Sequence, residues 1–140
     1  MNIILDTNIF LGACIGQGNA NKLVSRCLQG DFSPLMGAAL LAEYEDVLGR
    51  DHLFSNARLN HDERAELLDI FLSHCQWVRI YYAWRPNLKD EGDNHLIELA
   101  VAGNARYLVT YNLRDFKQME LKFPEICICS PEQFFEEVQS

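Results

Sequence analysis

Carboxylates and amides recur in four separated stretches of the chain: Asp6 with Asn8, Glu43, Asp90 with Asp93, and Thr110-Tyr111-Asn112 followed by Asp115. If these groups converge, electrostatics limits what they can do. Two like charges about 4 Å apart repel by roughly 4 kcal/mol at an effective dielectric near 20, so several together stay ionised only beside a cation. Asp and Glu oxygens with the amide of Asn112, and no Cys or His at ligand spacing, suit a hard ion such as Mg²⁺ or Mn²⁺ and disfavour zinc. Each group also has a plainer reading. Asp6 can simply begin a turn. Glu43 and Glu45 fall on opposite margins of one apolar stripe, so helical phase does not choose between them, and Glu43 is preferred because it lies nearer the helix start. Asp93 alone, or Asp90 with Asp93, can cap a helix, and Asp115 can cap the short turn before Lys117.

The elements that would position these groups follow from local pattern. Ile3-Ile4-Leu5 is apolar without alternation, as in a strand covered on both faces in the middle of a parallel sheet. In such sheets ligands sit beyond the carboxyl ends of the strands, where Asp6 lies. Ile9 to Gly18 carries three glycines and reads as a helical turn passing into a loop. Asn19 or Asn21 caps a helix through Gln29, Ser33 to Met36 is a second strand, and Gly37 or its successor opens a helix to about Arg50. Asp51 to Asn60 is polar and irregular. Asn60 or His61 starts a helix through about Cys75, and Trp77 to Tyr82 is a third strand. After a loop of strong turn chemistry, Arg85-Pro86-Asn87 to Asp90-Glu91-Gly92, a helix runs from Asp93 to near Gly103. Tyr107 to Thr110 and Ile126 to Cys129 are the fourth and fifth strands, and Ser130-Pro131-Glu132-Gln133 has the form of a capping box. Strands alternating with helices predict an α/β fold with a mostly parallel sheet of about five strands, and residues 1–140 read as a single domain.

Composition narrows the function classes. The 140 residues, 49% hydrophobic, suffice to bury a core without staples. The apolar start is interrupted by Asp6 and lacks a basic flank, and no run approaches the roughly 18 apolar residues of a membrane span, so a soluble cytoplasmic protein with no membrane partner is expected. Five cysteines without metal-type spacing read as buried free thiols. Twelve Lys and Arg against 20 Asp and Glu, a formal net charge of −8, weigh against nucleic-acid binding by a broad basic face. A carboxylate cleft attracts phosphate once it holds divalent cations.

Four stretches together, Leu5-Asp6-Thr7-Asn8-Ile9, Leu41 to Leu48 around Glu43, Asp90 to Ala100, and Leu108-Val109-Thr110-Tyr111-Asn112 with Asp115-Phe116, resemble the PIN-domain family. More narrowly, the chain is similar to the VapC-like toxins of bacterial toxin–antitoxin pairs. The resemblance runs the whole length and implies a three-layer α/β sandwich. It implies a ribonuclease cutting single-stranded or loop RNA, dependent on one or two Mg²⁺ or Mn²⁺ ions, with Asp6, Glu43 and Asp93 as metal-binding and catalytic carboxylates. Asn112 stands where many relatives carry aspartate, so Asp115 is the candidate fourth acid, and Asp90 can replace or assist Asp93. Thr7, Asn8 and Thr110 then orient the acids or water. Arg114, Arg85 and Lys89 are candidates for phosphate contacts, and Trp84 and Tyr111 for stacking on unpaired bases. His52, His61, His74 and His95 are dispersed and receive no catalytic role. An antitoxin covering the cleft and a homodimer are the partners the resemblance implies.

Two rival readings differ in class. A strand ending in Asp also opens receiver domains and haloacid-type phosphatases, but the phosphatase pattern needs an acid where this chain has Asn8, and a receiver a Lys-Pro where it has Ser130-Pro131. The other rival is a PIN-like binding or scaffold module, favoured by Asn112 and the net charge, which would show no carboxylate-dependent Mn²⁺ binding.

Overall fold

The computed structural model describes residues 1–79, 94–117 and 125–139. Five parallel strands, β1 (Asn2–Leu5), β2 (Ser33–Met36), β3 (Gln76–Trp77), β4 (Tyr107–Val109) and β5 (Cys127–Cys129), lie in the order β3-β2-β1-β4-β5. The helices are α1 (Thr7–Ile15), α2 (Gly18–Leu28), α3 (Ala38–Leu48), α4 (His61–His74), α5 (Asn94–Ala102), α6 (Leu113–Lys117) and α7 (Pro131–Gln139). Ile3, Ile4 and Leu5 are all buried, so β1 is covered on both faces, and the arrangement is an α/β sandwich around a parallel five-stranded sheet, as expected from sequence.

The order of the strands locates the useful edge. From β1 the chain moves outward to β2 and β3, then returns to place β4 on the other side of β1. The connections after β1 and β4 therefore diverge, leaving a crevice at the carboxyl ends of those two strands. Ile3, Ile4 and Leu5 stand in register with Tyr107, Leu108 and Val109, and the Asp6 N–H donates to the Val109 carbonyl at 3.0 Å. Asp6 and Thr110 thus leave the sheet side by side.

The helices are fixed by caps and by two aromatic clusters. Asn60 and Glu63 form a reciprocal capping box at α4, and Ser130 and Gln133 exchange the same pair of bonds at α7. Phe10, Tyr44 and Phe71 join α1, α3 and α4 with ring centroids 5.3 to 6.2 Å apart. Phe134 of α7 meets Phe32 and Tyr107 edge-on at 4.9 and 5.1 Å.

Several boundaries differ from the sequence expectation. Residues after Asp6 form a full helix, not a turn and loop, because Gly12 is a packing glycine. A Cβ there would meet Gln17 Oε1 at 2.6 Å and Ala20 Cβ at 3.3 Å, so its absence lets α2 close on α1. Gly16, at φ 112°, is the residue that ends the helix. The next helix begins at Gly18 behind Gln17, not behind Asn19 or Asn21. The third strand is Gln76–Trp77, in register with Leu35 and Met36, and the Val78 N–H still donates to the Met36 carbonyl at 2.9 Å; the proposed continuation into residues 80–82 lies outside the described residues. Asp51–Phe54 forms a 3₁₀ turn within the stretch expected to be irregular. All five cysteines are free, but Cys127 is exposed, because β5 is an edge strand. No described helix is long and apolar enough to cross a membrane.

Candidate active site

Asp6 ends β1 and is also the N-cap of α1: its Oδ1 accepts from the Thr7 backbone N–H at 2.7 Å. The turn reading therefore holds, and the cap occupies only one of the two carboxylate oxygens. Its Oδ2 accepts from the Thr110 hydroxyl at 2.8 Å, and the residue is only 5% exposed. Thr110 Oγ1 also accepts from the Asn112 backbone N–H at 2.9 Å and from Asn8 Nδ2 at 3.3 Å. A hydroxyl has one proton and two lone pairs, so with both lone pairs engaged this one can only donate to Asp6. Asn8 Nδ2 lies 3.5 Å from Asp6 Oδ2, while Asn8 Oδ1 accepts from the Tyr111 N–H at 3.2 Å. The loop after β4 is thereby tied to the loop after β1.

Glu43 arrives from α3. Its Oε1 accepts from the Thr7 hydroxyl at 2.8 Å, so Thr7 holds both carboxylates, one through its backbone and one through its side chain. Glu45 is exposed, and of the two glutamates it is Glu43 that reaches Thr7. Adjacent Tyr44 is fully buried and donates to the Leu5 carbonyl at 2.6 Å, fixing α3 against the end of β1. Glu43 Oε2 lies 2.8 Å from His95 Nε2 of α5. An ionised carboxylate can only accept, so that nitrogen carries the proton.

Electrostatically the two acids differ. Burial, the largest influence, and the neighbouring Glu43 charge push the Asp6 carboxyl above its ordinary 3.8, while the Thr110 bond pulls it down. The His95 hydrogen bond holds Glu43 below its ordinary 4.5 against the effect of burial. Glu43 is kept charged beside an acid whose own charge is disfavoured.

His95 was missed by sequence reasoning, which looked for metal-ligand spacing among histidines and found none. The available signal was position: His95 directly precedes the buried pair Leu96-Ile97 at the start of α5 and thus lies at the margin of its inward face. Asn112 and Asp115 extend the network, with Asn112 Nδ2 donating to Asp115 Oδ2 at 2.6 Å. Tyr111 and Arg114 are exposed on the same loop and on α6. Asp90, Asp93, Arg85, Lys89 and Trp84 lie outside the described residues.

The donor chemistry fits a hard divalent cation. Asp6 and Glu43 offer carboxylate oxygens, and a cation would relieve both the burial of Asp6 and its repulsion by Glu43. Among the described residues no three His, Cys, Asp or Glu side chains converge as a metal-holding group, so a third carboxylate would have to come from elsewhere in the chain.

A family profile described as PIN domain matches residues 2–114. The fold is similar to a chain in the crystal structure of VapBC2 from Rickettsia felis bound to a DNA fragment from their promoter. That match has a TM-score of 0.58 at 19% identity and covers 91% of this chain and 97% of that one. No curated protein matches the chain significantly. With four fifths of its length under the family profile, and the sandwich fold to go with it, this chain belongs to the PIN-domain family.

Proposed function

We propose that the chain is a metal-dependent endoribonuclease of the VapC kind, residues 1–140 forming one PIN-like domain that acts in the cytoplasm. The observation that carries this reading is the Asp6–Glu43 pair, two carboxylates held by the bridging Thr7, with Asp6 buried and, among the described residues, hydrogen-bonded only by the uncharged groups of Thr7, Asn8 and Thr110.

Asp6 and Glu43 would hold Mg²⁺ or Mn²⁺, with Asp93 or Asp90 completing the set and Asn112 and Asp115 assisting. Held there, the ion would supply the Lewis acidity for activating water and stabilising the leaving 3′-oxygen of a scissile phosphodiester. Thr110, its lone pairs occupied, keeps a proton directed at Asp6 Oδ2 and so favours the unprotonated acid. His95 and Thr7 fix the orientation of Glu43. Asn8 joins the loops after β1 and β4. Arg114, with Arg85 and Lys89, would contact phosphate, and Tyr111 an unpaired base. No side-chain nucleophile is needed.

The neighbour is named VapBC2, bound to a DNA fragment from their promoter, and together with the sequence resemblance to VapC-like toxins this supports an antitoxin partner for this chain; a homodimer belongs to the same reading. The test is cleavage of an unstructured RNA by the wild-type protein and Asp6→Asn in EDTA, Mg²⁺ or Mn²⁺, with analysis of the new ends. Metal-dependent products with 5′-phosphates, absent with the variant, are expected. If neither protein cuts and neither binds Mn²⁺, the chain is a PIN-like binding module.

A further inference from the structure

Beside the carboxylate network an open cleft of about 520 Å³ is bounded by Gln17, Gly18, Asn19, Tyr111 and Glu132. Its walls come from the start of α2, the loop after β4 and the first turn of α7. Tyr111 is 40% exposed, and its backbone is bonded to Asn8, so the cleft adjoins Asp6 through a single intervening side chain. On the other side, Asn19 Nδ2 donates to Glu132 Oε1 at 3.1 Å. That bond draws Glu132 below the ordinary glutamate range. The Glu132 charge in turn adds to the effect of burial in raising the Tyr111 phenol, as expected of two groups facing one space.

An exposed aromatic ring beside fixed polar groups is how unpaired bases are bound: the ring stacks, and the polar groups meet the Watson–Crick edge. A carboxylate accepts and cannot donate. Guanine alone among the four RNA bases presents two adjacent N–H donors on that edge, N1–H and N2–H. Adenine and cytosine place a ring-nitrogen acceptor beside their amino group, and uracil flanks its one N–H with two carbonyls. A carboxylate facing the edge therefore pairs twice with guanine and repels an acceptor on each of the others. Of about four acceptor positions on Glu132, Asn19 takes one by a hydrogen bond, and the Ser130 side chain and Glu132's own N–H lie near enough to favour its charge as well.

We propose that the cleft between Tyr111 and Glu132 is a guanine-base subsite, serving the RNA strand whose phosphate lies at the Asp6–Glu43 edge. The strand assignment rests on the nuclease reading above; the base assignment rests on the cleft. To separate them, the full chain is titrated in EDTA with 5′-GMP, 5′-AMP, 5′-CMP and 5′-UMP by calorimetry, and in parallel the cleavage sites in an unstructured RNA containing all four bases are sequenced.

The expected result is GMP binding about tenfold tighter than the other three. The preference is lost in Glu132→Gln, which replaces one acceptor by a donor. It is lost as well in Gly18→Leu, which narrows the cleft at a position where an added Cβ meets nothing within 4 Å and the backbone is not left-handed. Equal binding of the four nucleotides, or a GMP preference that survives both variants, overturns the subsite. RNA cleavage with no guanine beside the cut sites overturns it as well and leaves the nuclease standing. GMP selectivity in a protein that cuts no RNA upholds the base pocket and removes the nuclease.

Discussion

Among the described residues two charged side chains are almost wholly buried, and their surroundings have opposite character. Arg64, 4% exposed, donates to Asp51 Oδ1 at 2.9 Å and to the Leu59 carbonyl at 3.4 Å, and its guanidinium lies 3.9 Å over the Phe54 ring. Those partners lie within 13 residues of it and bring an opposite charge, a carbonyl and an aromatic face. Asp6, 5% exposed, takes hydrogen bonds from Thr7 and Thr110, yet the ionised group that most raises its carboxyl is another acid, Glu43. The Arg64 charge is met by Asp51, although its Nε has no partner among the described residues, and the side chain ties the 3₁₀ turn to α4. Asp6 is held in place with negative charge in excess, an arrangement that gains from a cation and that stability alone gives no reason to keep.

The sharpest way to break this contrast is to exchange the expected phenotypes. Asp6→Asn should abolish RNA cleavage, and with it any rise in melting temperature on adding Mn²⁺, while the fold persists; cleavage gels and thermal denaturation report both. Arg64→Ala should do the reverse, costing about 2 kcal/mol of stability through lost charge-assisted bonds and packing. A urea titration would show it, with cleavage per folded molecule unchanged. If instead Arg64→Ala silences the folded protein and Asp6→Asn does not, the contrast is wrong.

Smaller changes sharpen it. Thr110→Val removes the proton directed at Asp6 Oδ2, the interaction that opposes the effect of burial. Mn²⁺ affinity should fall about tenfold to a hundredfold, and because the Asp6 carboxyl rises further, the pH midpoint of Mn²⁺ binding should move upward. An unchanged midpoint in calorimetry across pH would mean that Thr110 does not tune Asp6. The smallest effect is on acid stability. Glu43 sits below its ordinary 4.5 in the fold, so its contribution is complete above that value and is lost as pH falls through the lower folded value. Asp6, raised above 3.8, has the opposite sign, and its ionisation costs stability as pH rises. Glu43→Gln should therefore show a shallower loss of stability between about pH 5 and pH 3 in urea midpoints. Equal slopes would mean that the His95 bond does not hold Glu43 ionised.

Much of this architecture was legible because its signals are local. The helix start at Asn60 or His61, the capping box at Ser130-Gln133, the uninterrupted Ile3-Ile4-Leu5, and the strand that ends on Asp6 each require only a few neighbouring residues. Helix α1 was not legible, since Gly12 reads as a breaker until the partner helix it admits is known. The choice of Glu43 over Glu45 could be favoured but not fixed by periodicity, because the deciding contacts come from Thr7 and His95, 36 and 52 residues away in sequence. The role of His95 was invisible for the same reason: its partner is a single carboxylate on another helix, not a set of ligands at regular spacing.

The bond between Asp6 and the Thr110 hydroxyl joins residues 104 apart in sequence, and β1 acquires β4 as its neighbour only when that distant segment has been made. Chains are synthesised and begin to fold from the amino end. On the ribosome, Asp6, Thr7 and Glu43 therefore emerge long before the residue that orients Asp6. Whatever chemistry this edge performs is withheld from the nascent chain until Thr110 has followed β4 out of the ribosome, a delay built into the strand order.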